Sequence, residues 1–274
     1  PIQVTRGTVS SNQYGIYNNS TDSVIVDGGT VSSSNNRYNS IYGIYNNGTG
    51  SVIVKSGTVN SSNLGKSYGI YNSSSGTVQV KGGTVNSSSN SKNDNEKYYS
   101  YGIYNARNGS IIIEEGTVNS NSNNYATKKD SYAIYNSSNG TVQVKGGTVN
   151  GSSDVWEAYG IYNSTSGTII IEGGMVIGLD YGIYNSGGIV TITGGTVNSE
   201  QHGIYNNSTG IITVTGGTVS SSYGIYNNST GSVIIGDKEK ELSNEKPKIQ
   251  GKYIGTSSSK GCGIYNTIRK CWIL

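Results

Sequence analysis

The sequence predicts an all-β chain folded as a right-handed parallel β-helix, a β-solenoid of about ten rungs. Each rung holds 21 or more residues and three short strands. Two observations predict this fold: a five-residue phrase, Tyr-Gly-Ile-Tyr-Asn at 14–18, recurs throughout the 274 residues, and the apolar columns repeat with it. The copies of the phrase begin at Tyr14, Tyr42, Tyr68, Tyr101, Tyr132, Tyr159, Tyr181, His202, Tyr223 and Cys262.

Each repeat divides into three extended segments, which read GIYN, SVIV and GGTV in their commonest forms. Val, Ile, Thr and Tyr favour strands, while the Gly, Ser, Asn and Thr residues between the segments favour turns. No helical periodicity interrupts this pattern. A β-propeller is the competing fold for a repeat of this size, but its blades need four strands and about forty residues.

Four positions of each repeat predict a continuous core. The first and third residues of the SVIV-type strand are aliphatic in every repeat, beginning with Ile2 and Val4, whereas the residue between them accepts Gln and Thr. The Ile of the phrase and the Val of GGTV add two more aliphatic layers. Because strand side chains alternate between faces, these four columns predict the interior of the coil.

The last two residues of the phrase predict two ladders that run from rung to rung. The second tyrosine follows an inward isoleucine, so alternation points it outward, and the asparagine then points inward. Stacked rings and hydrogen-bonded amides both stabilise neighbouring strands. The alternative to this structural role is a functional one, in which sugar rings stack on the outward tyrosines. The tyrosines are Tyr17, Tyr45, Tyr71, Tyr104, Tyr135, Tyr162, Tyr184, Tyr205, Tyr226 and Tyr265, and the asparagines are Asn18, Asn46, Asn72, Asn105, Asn136, Asn163, Asn185, Asn206, Asn227 and Asn266.

Five consecutive repeats carry long connections before the phrase, and these predict a binding edge. The connections after Val31, Val59, Val85, Val118 and Val149 hold 10, 8, 15, 13 and 9 residues. Solenoids often bind along a corner from which loops emerge. Solvated loops without a ligand are the alternative. The candidate ligand-binding residues are the loop aromatics Tyr38, Tyr98, Tyr99, Tyr125 and Trp156.

The chain has few residues suited to catalysis or metal binding. Its 16 acidic residues are scattered, and no repeat gathers the paired carboxylates that polysaccharide cleavage or calcium binding requires. The single histidine, His202, stands at the first tyrosine position and is interpreted as a surface substitute. A column with Asp27, Lys55, Lys81, Glu114, Lys145 and Glu172 predicts weak ion pairs between rungs. We therefore expect no enzyme activity, no metal and no cofactor.

Composition excludes two classes of partner. The net charge of +3 and the 13% of charged residues are too dilute for a surface that follows nucleic-acid phosphates. No apolar stretch approaches the roughly 20 residues that span a bilayer, so membrane insertion is not expected. The partners that stay open are a glycan, a host surface protein and a second copy of the chain.

The chain is predicted to be one β-solenoid domain over 1–274, cut from a longer protein. A charged run interrupts the last full rung, so residues 236–261 are predicted to form an irregular insertion. Cys262 and Cys271 are the only cysteines. They form a disulfide in an oxidising compartment or stay as two free thiols, and the sequence favours neither.

The order YGIYN-NSTG-SVIV-GGTV with Ser and Asn connections resembles repeat regions of large bacterial cell-surface proteins, particularly adhesin-like wall proteins of Firmicutes. It resembles autotransporter passengers less closely. The resemblance implies an extracellular, non-enzymatic adhesin or stalk on the bacterial surface. The alternatives are a structural protein that assembles end to end into fibres through unpaired strands, and a polysaccharide-active enzyme.

Overall fold

The computed structural model describes residues 1–90, 98–123, 130–154, 157–236, 247–251, 264–266 and 271–273. Within these ranges the chain forms 31 strands and no helix. Strands three apart in chain order lie side by side, and every pairing between them is parallel. The chain therefore coils through three parallel sheets, which confirms the predicted β-solenoid. Crossovers between parallel strands are right-handed as a rule, which agrees with the predicted hand.

Sheet A consists of eleven three-residue strands from the SVIV-type segments. In the described burial patterns the outer two residues of nearly every strand are buried and the middle one is partly exposed, as alternation predicts. Its strands are β1 (Ile2–Val4), β4 (Val24–Val26), β7 (Val52–Val54), β10 (Val78–Val80), β13 (Ile111–Ile113), β16 (Val142–Val144), β19 (Ile169–Ile171), β22 (Val190–Ile192), β25 (Ile212–Val214), β28 (Val233–Ile235) and β31 (Cys271–Ile273).

Sheet B consists of ten strands from the GGTV-type segments. A glycine with positive φ precedes most of them, for example Gly57 at 78°, because the tight turn from sheet A needs a left-handed residue. Its strands are β2 (Thr8–Ser11), β5 (Thr30–Ser34), β8 (Thr58–Asn63), β11 (Thr84–Ser89), β14 (Thr117–Ser122), β17 (Thr148–Ser153), β20 (Met175–Gly178), β23 (Thr196–Asn198), β26 (Thr218–Ser221) and β29 (Lys248–Gly251).

Sheet C consists of ten strands that contain the repeated phrase. The strand that follows each of them in the chain belongs to sheet A and begins the next rung. Its strands are β3 (Tyr14–Asn18), β6 (Ile41–Asn46), β9 (Ser67–Asn72), β12 (Ser100–Asn105), β15 (Ser131–Asn136), β18 (Ala158–Asn163), β21 (Tyr181–Asn185), β24 (His202–Asn206), β27 (Tyr223–Asn227) and β30 (Ile264–Asn266).

The four predicted aliphatic columns form one continuous core between the three sheets. Most of these side chains are fully buried, including Val52, Val54, Val59 and Ile70 of one rung. Stacked Val and Ile fill the narrow interior, and burial of each stabilises the fold by about 1.5–3 kcal/mol before entropy is considered.

The predicted asparagine ladder runs along one corner of this core. The amide Nδ2 of each asparagine donates to the Oδ1 of the asparagine on the next rung, at 2.8–3.0 Å, from Asn18 through Asn227. The same Nδ2 also donates to a carbonyl oxygen of the following turn, for example from Asn72 to Gly76 at 2.8 Å. The turn from sheet C into sheet A therefore has the same shape on most rungs.

The structure describes only part of the insertion predicted over 236–261. Strand β29 lies inside that range and pairs with β26, so four residues of the range continue sheet B. Residues 237–246 and 252–263 lie outside the described part of the chain. Strands β30 and β31 then pair with β27 and β28. Cys262 and the side chain of Cys271 are not described, so the predicted alternatives for the two thiols stay open.

Candidate functional site

The outward face of sheet C carries two parallel rows of stacked aromatic rings. The second tyrosine rank is the predicted ladder, with ring centroids 4.8–5.3 Å apart from Tyr17 to Tyr226. The side chains of Tyr265 and Asn266 lie outside the described part. Beside it runs a first tyrosine rank, built from the first residue of each phrase and spaced 4.8–5.2 Å. Its rings meet the second rank edge to face.

Strict alternation does not predict the first tyrosine rank, because it would place the first tyrosine inward. The glycine between the two tyrosines points inward instead. A Cβ on Gly43 would lie 2.7 Å from Val59 Cγ1 and 2.6 Å from the Gly69 carbonyl oxygen. Glycine and isoleucine thus both face the core, and Tyr42 and Tyr45 both face outward. The glycine that recurs between the two tyrosines of nearly every phrase was the one sequence feature that could have predicted this arrangement.

Stacking decides which atoms of the two ranks face solvent. Neighbouring rings within the second rank lie 3–25° from parallel, so their faces cover one another and their edges and hydroxyl groups face outward. Sugar rings therefore have no free face along the interior of this rank, which argues against the predicted sugar platform. Burial raises the pKa of Tyr71 and of Tyr184 to about 12, with neighbouring phenols adding to the effect. The surface is a neutral one of phenol edges.

His202 takes the place of a tyrosine in the first tyrosine rank, on the outward face of sheet C, where it is partly buried. Its ring stacks between Tyr181 and Tyr223, with centroids 5.2 Å from each. Burial lowers the pKa of His202 from 6.5 to about 4. Within the described residues its Nδ1 has no hydrogen-bond partner. The imidazole is therefore a neutral aromatic ring that continues the stack, because an imidazolium there would lose its hydration.

The loop edge is the corner between sheets B and C on the five rungs with long connections. Tyr38 is 45% exposed and stacks on Tyr98, which is 4% exposed, with centroids 5.4 Å apart. The ring centroids of Tyr99 and Tyr101 lie 6.1 Å apart, and the Lys66 ammonium lies 5.8 Å from the ring centroid of Tyr99. The predicted residues Tyr125 and Trp156 lie outside the described residues. The structure thus brings Tyr38 and Tyr98 together and places Tyr99 against the first rank.

Much of each long connection is strand and not loop. Its first residues extend the sheet B strands and its last residues extend the sheet C strands. Buried serines join the two extensions in what we call the serine seam. The hydroxyl pairs are Ser61–Ser67 at 2.7 Å, Ser87–Ser100 at 2.9 Å and Ser120–Ser131 at 2.7 Å. A polar composition concealed this ordered layer, since buried serines look like loop serines in a sequence.

Acidic residues line the start of the sheet C strands on several rungs. The phenol of Tyr132 donates to Asp130 at 3.0 Å, and that of Tyr159 donates to Glu157. Burial raises the pKa of Asp180, although the bond it accepts from the Ala158 N–H opposes the shift. No three or more His, Cys, Asp or Glu side chains among the described residues lie close enough to hold a metal ion.

The predicted column of charges forms two ion pairs on the outside of the coil. The Lys55 ammonium lies 3.5 Å from the Asp27 carboxylate, and that of Lys81 lies 3.9 Å from Glu114. Both pairs are partly exposed, so each contributes about 0–1 kcal/mol to stability. They join neighbouring rungs on the outside of the coil and offer no site for chemistry.

Comparison with known proteins assigns no family to this chain. No protein-family model, no curated protein and no solved structure matches it. None of the described residues belongs to a helix long and apolar enough to cross a membrane.

Proposed function

We propose that this chain is a non-enzymatic repeat protein of the bacterial cell surface, acting as an adhesin or structural stalk. The loop edge contacts a glycan or a host surface protein. The observation that carries this proposal is the placement of five successive long connections at one corner of an otherwise regular coil. A rigid rod holds such loops in line, and binding residues concentrate on loops that a rigid scaffold positions.

Two features of the loop edge support a binding role. Tyr38 exposes nearly half of its surface while its ring is held against buried Tyr98, so it is a pre-positioned aromatic anchor. The serine seam orders the connections up to the point where they leave the sheets. Ordering the base of a loop lowers the entropy that a ligand must overcome on binding.

The experiment measures binding of the purified chain to a printed glycan array and to a panel of extracellular matrix proteins. Two variants accompany it: Tyr38→Ser, and a chain without residues 91–97 and 124–129. We expect each variant to weaken the binding of at least one glycan or matrix protein by at least tenfold. The control is Gln79→Ser on the outward face of sheet A, which we expect to bind as the unmodified chain does.

The same data can contradict the proposal. If the shortened chain retained in full the binding of every ligand that the unmodified chain binds, the loop edge would have no part in binding. Absence of binding to every glycan and protein would remove the adhesin role. Unchanged thermal unfolding midpoints for Tyr38→Ser and Gln79→Ser would establish that a loss of binding is not a loss of fold.

A further inference from the structure

A groove of about 750 Å³ lies at the turn from sheet C into sheet A, at the end of the sheet C strands opposite the loop edge. Its lining crosses three consecutive rungs. Tyr45 and Asn47 come from one rung, Tyr71 and Ser73 from the next, and Arg107 from the third. This volume falls in the range of small-ligand sites.

The groove exists because one turn departs from the pattern of the others. The residue after the phrase is Asn or Ser on the neighbouring rungs, and these side chains form a polar row. Asn47 Nδ2 donates to Asn19 Oδ1 at 2.7 Å, and Ser73 Oγ donates to Asn47 Oδ1 at 2.8 Å. Ala106 stands at the next place in this row and has no group to continue it. The alanine thereby leaves room beside Ser73.

Arg107 departs from the pattern in a second way. At the equivalent position of other turns, Ser74 and Ser138 point inward and donate to the asparagine ladder at 3.0 and 2.9 Å. Arginine is too long for that inward place, and Arg107 is exposed at the rim of the groove. Serine is therefore the residue that the fold accommodates here, and arginine is the exception.

The charge of Arg107 is isolated. Across the nine equivalent turns of the described rungs, the only other charged residue is Asp22, three rungs away. None of the ion pairs within the described residues includes Arg107. Beside it the phenol of Tyr71 stays neutral, since burial raises its pKa to about 12. The groove therefore offers one cation among neutral hydroxyl and amide groups.

We propose that this groove binds an acidic sugar of an extended glycan, with the sugar carboxylate on the Arg107 guanidinium. The hydroxyls of the glycan meet Asn47, Ser73 and the phenol edges of Tyr45 and Tyr71. Several neutral donors and acceptors around one cation suit a hydroxyl-rich ligand better than an acidic peptide, which would need a cation for each carboxylate. Rungs spaced about 4.8 Å apart also approach the length of one sugar residue in an extended β-linked chain.

This proposal goes beyond the loop edge and does not depend on it. The probe is glucuronosyl-cellotriose, which is cellotetraose with one terminal C6 oxidised to a carboxylate. It is titrated calorimetrically into the whole chain, with unmodified cellotetraose as the matched neutral sugar. Arg107→Ser restores the residue of the equivalent turns, so we expect it to fold normally and to bind about 10-fold to 100-fold more weakly. Arg107→Lys keeps the charge without the planar fork and should fall between the two. Lys145→Gln removes one distant cation and should bind like the unmodified chain.

Four outcomes would overturn the proposal. They are no measurable binding of glucuronosyl-cellotriose, equal affinity for Arg107→Ser and the unmodified chain, equal affinity for cellotetraose, and tighter binding of hexaglutamate, which would indicate an acidic peptide. The chain without residues 91–97 and 124–129 separates this site from the loop edge. We expect it to bind glucuronosyl-cellotriose with unchanged affinity, and a loss there would place the site on the loops.

Discussion

At the scale of the residue, a single buried amide connects three rungs. Asn136 Oδ1 accepts from Asn105 Nδ2 at 2.9 Å, and Asn136 Nδ2 donates to Asn163 Oδ1 at 2.9 Å. It also donates to the carbonyl oxygens of Ser138 and Gly140. A buried polar group that loses its hydrogen-bond partners lowers the stability of the fold. The largest effect of removing this amide is therefore the cost of the buried donors and acceptors that it would leave unpaired.

Substitution of Asn136 tests this ladder. We expect Asn136→Ala to lower the free energy of unfolding by about 2–4 kcal/mol, because it leaves several buried donors and acceptors unpaired. Chemical denaturation followed by circular dichroism measures the change. Asn139→Ala in the same turn is the control, since Asn139 is exposed, and we expect it to cost less than about 0.5 kcal/mol. Equal losses for the two variants would contradict the role of the ladder.

The stacked imidazole of His202 makes stability depend on pH. Its pKa of about 4 in the folded chain lies below the ordinary 6.5, so the unfolded chain binds the proton more readily. The stabilisation is complete above pH 6.5 and is lost as the pH falls through 6.5 towards 4. Because His202 is only partly buried, we expect a loss of about 1–2 kcal/mol between pH 7 and pH 4.5.

The matched variant for this effect is His202→Tyr, which places the usual residue of the first rank at that position. Unfolding midpoints in urea at pH 7 and pH 4.5 would be compared for the two chains. We expect the variant to lose less stability on acidification than the unmodified chain. The same loss in both chains would assign the acid sensitivity to groups other than His202.

At the scale of the element, the serine seam explains how long strands persist beyond the aliphatic core. Ser120 Oγ lies 2.7 Å from Ser131 Oγ and donates to the Ser100 carbonyl oxygen at 2.9 Å. These bonds pair β14 with β15 within a rung and with β12 on the previous rung. Small hydroxyl side chains allow the two sheets to approach closely, which larger aliphatic residues would prevent.

Removal of one hydroxyl tests whether the seam orders the loop edge. We expect Ser120→Ala to destabilise the chain by about 1–2 kcal/mol, because it leaves the Ser131 hydroxyl and the Ser100 carbonyl without this partner. Amide hydrogen exchange should rise at 117–122 and 131–136 and stay unchanged in sheet A. Asn121→Ala, which alters the outward neighbour, should leave exchange as it is. Uniform acceleration in all three sheets would contradict a local role.

At the scale of the whole molecule, the stacked rungs predict an elongated particle. Ten rungs at about 4.8 Å each give a rod about 50 Å long. Small-angle X-ray scattering of the 274-residue chain should yield a distance distribution skewed towards long distances. A symmetric distribution, as for a sphere, would contradict an elongated solenoid.

Self-association of the chain stays a prediction. Pairing of unpaired strands between molecules would extend the three sheets by the same parallel hydrogen bonds that join the rungs. Sedimentation equilibrium over a hundredfold range of concentration measures it. A mass that rises with concentration would support fibre formation, and a constant monomer mass would contradict it.

The sequence by itself determined the coil, its core, the second tyrosine rank and the asparagine ladder. These features follow from a local rule, because strand side chains alternate and the same residues return at the same place in every repeat. Val52, Val54, Tyr45 and Asn46 thus have their predicted orientations. The loop-edge residues were identified from connection length alone, and their contacts were not predictable.

The tertiary structure alone decided the first tyrosine rank, the serine seam and the groove at Arg107. Gly43 faces inward against Val59 of another sheet, which leaves room there only for a residue without a Cβ. Ser120 is buried because a strand eleven residues later folds against it. Arg107 meets Tyr71 because the coil brings consecutive rungs into register. Each feature depends on contacts between segments that are distant in sequence, and a local alternation rule contains no information about such contacts.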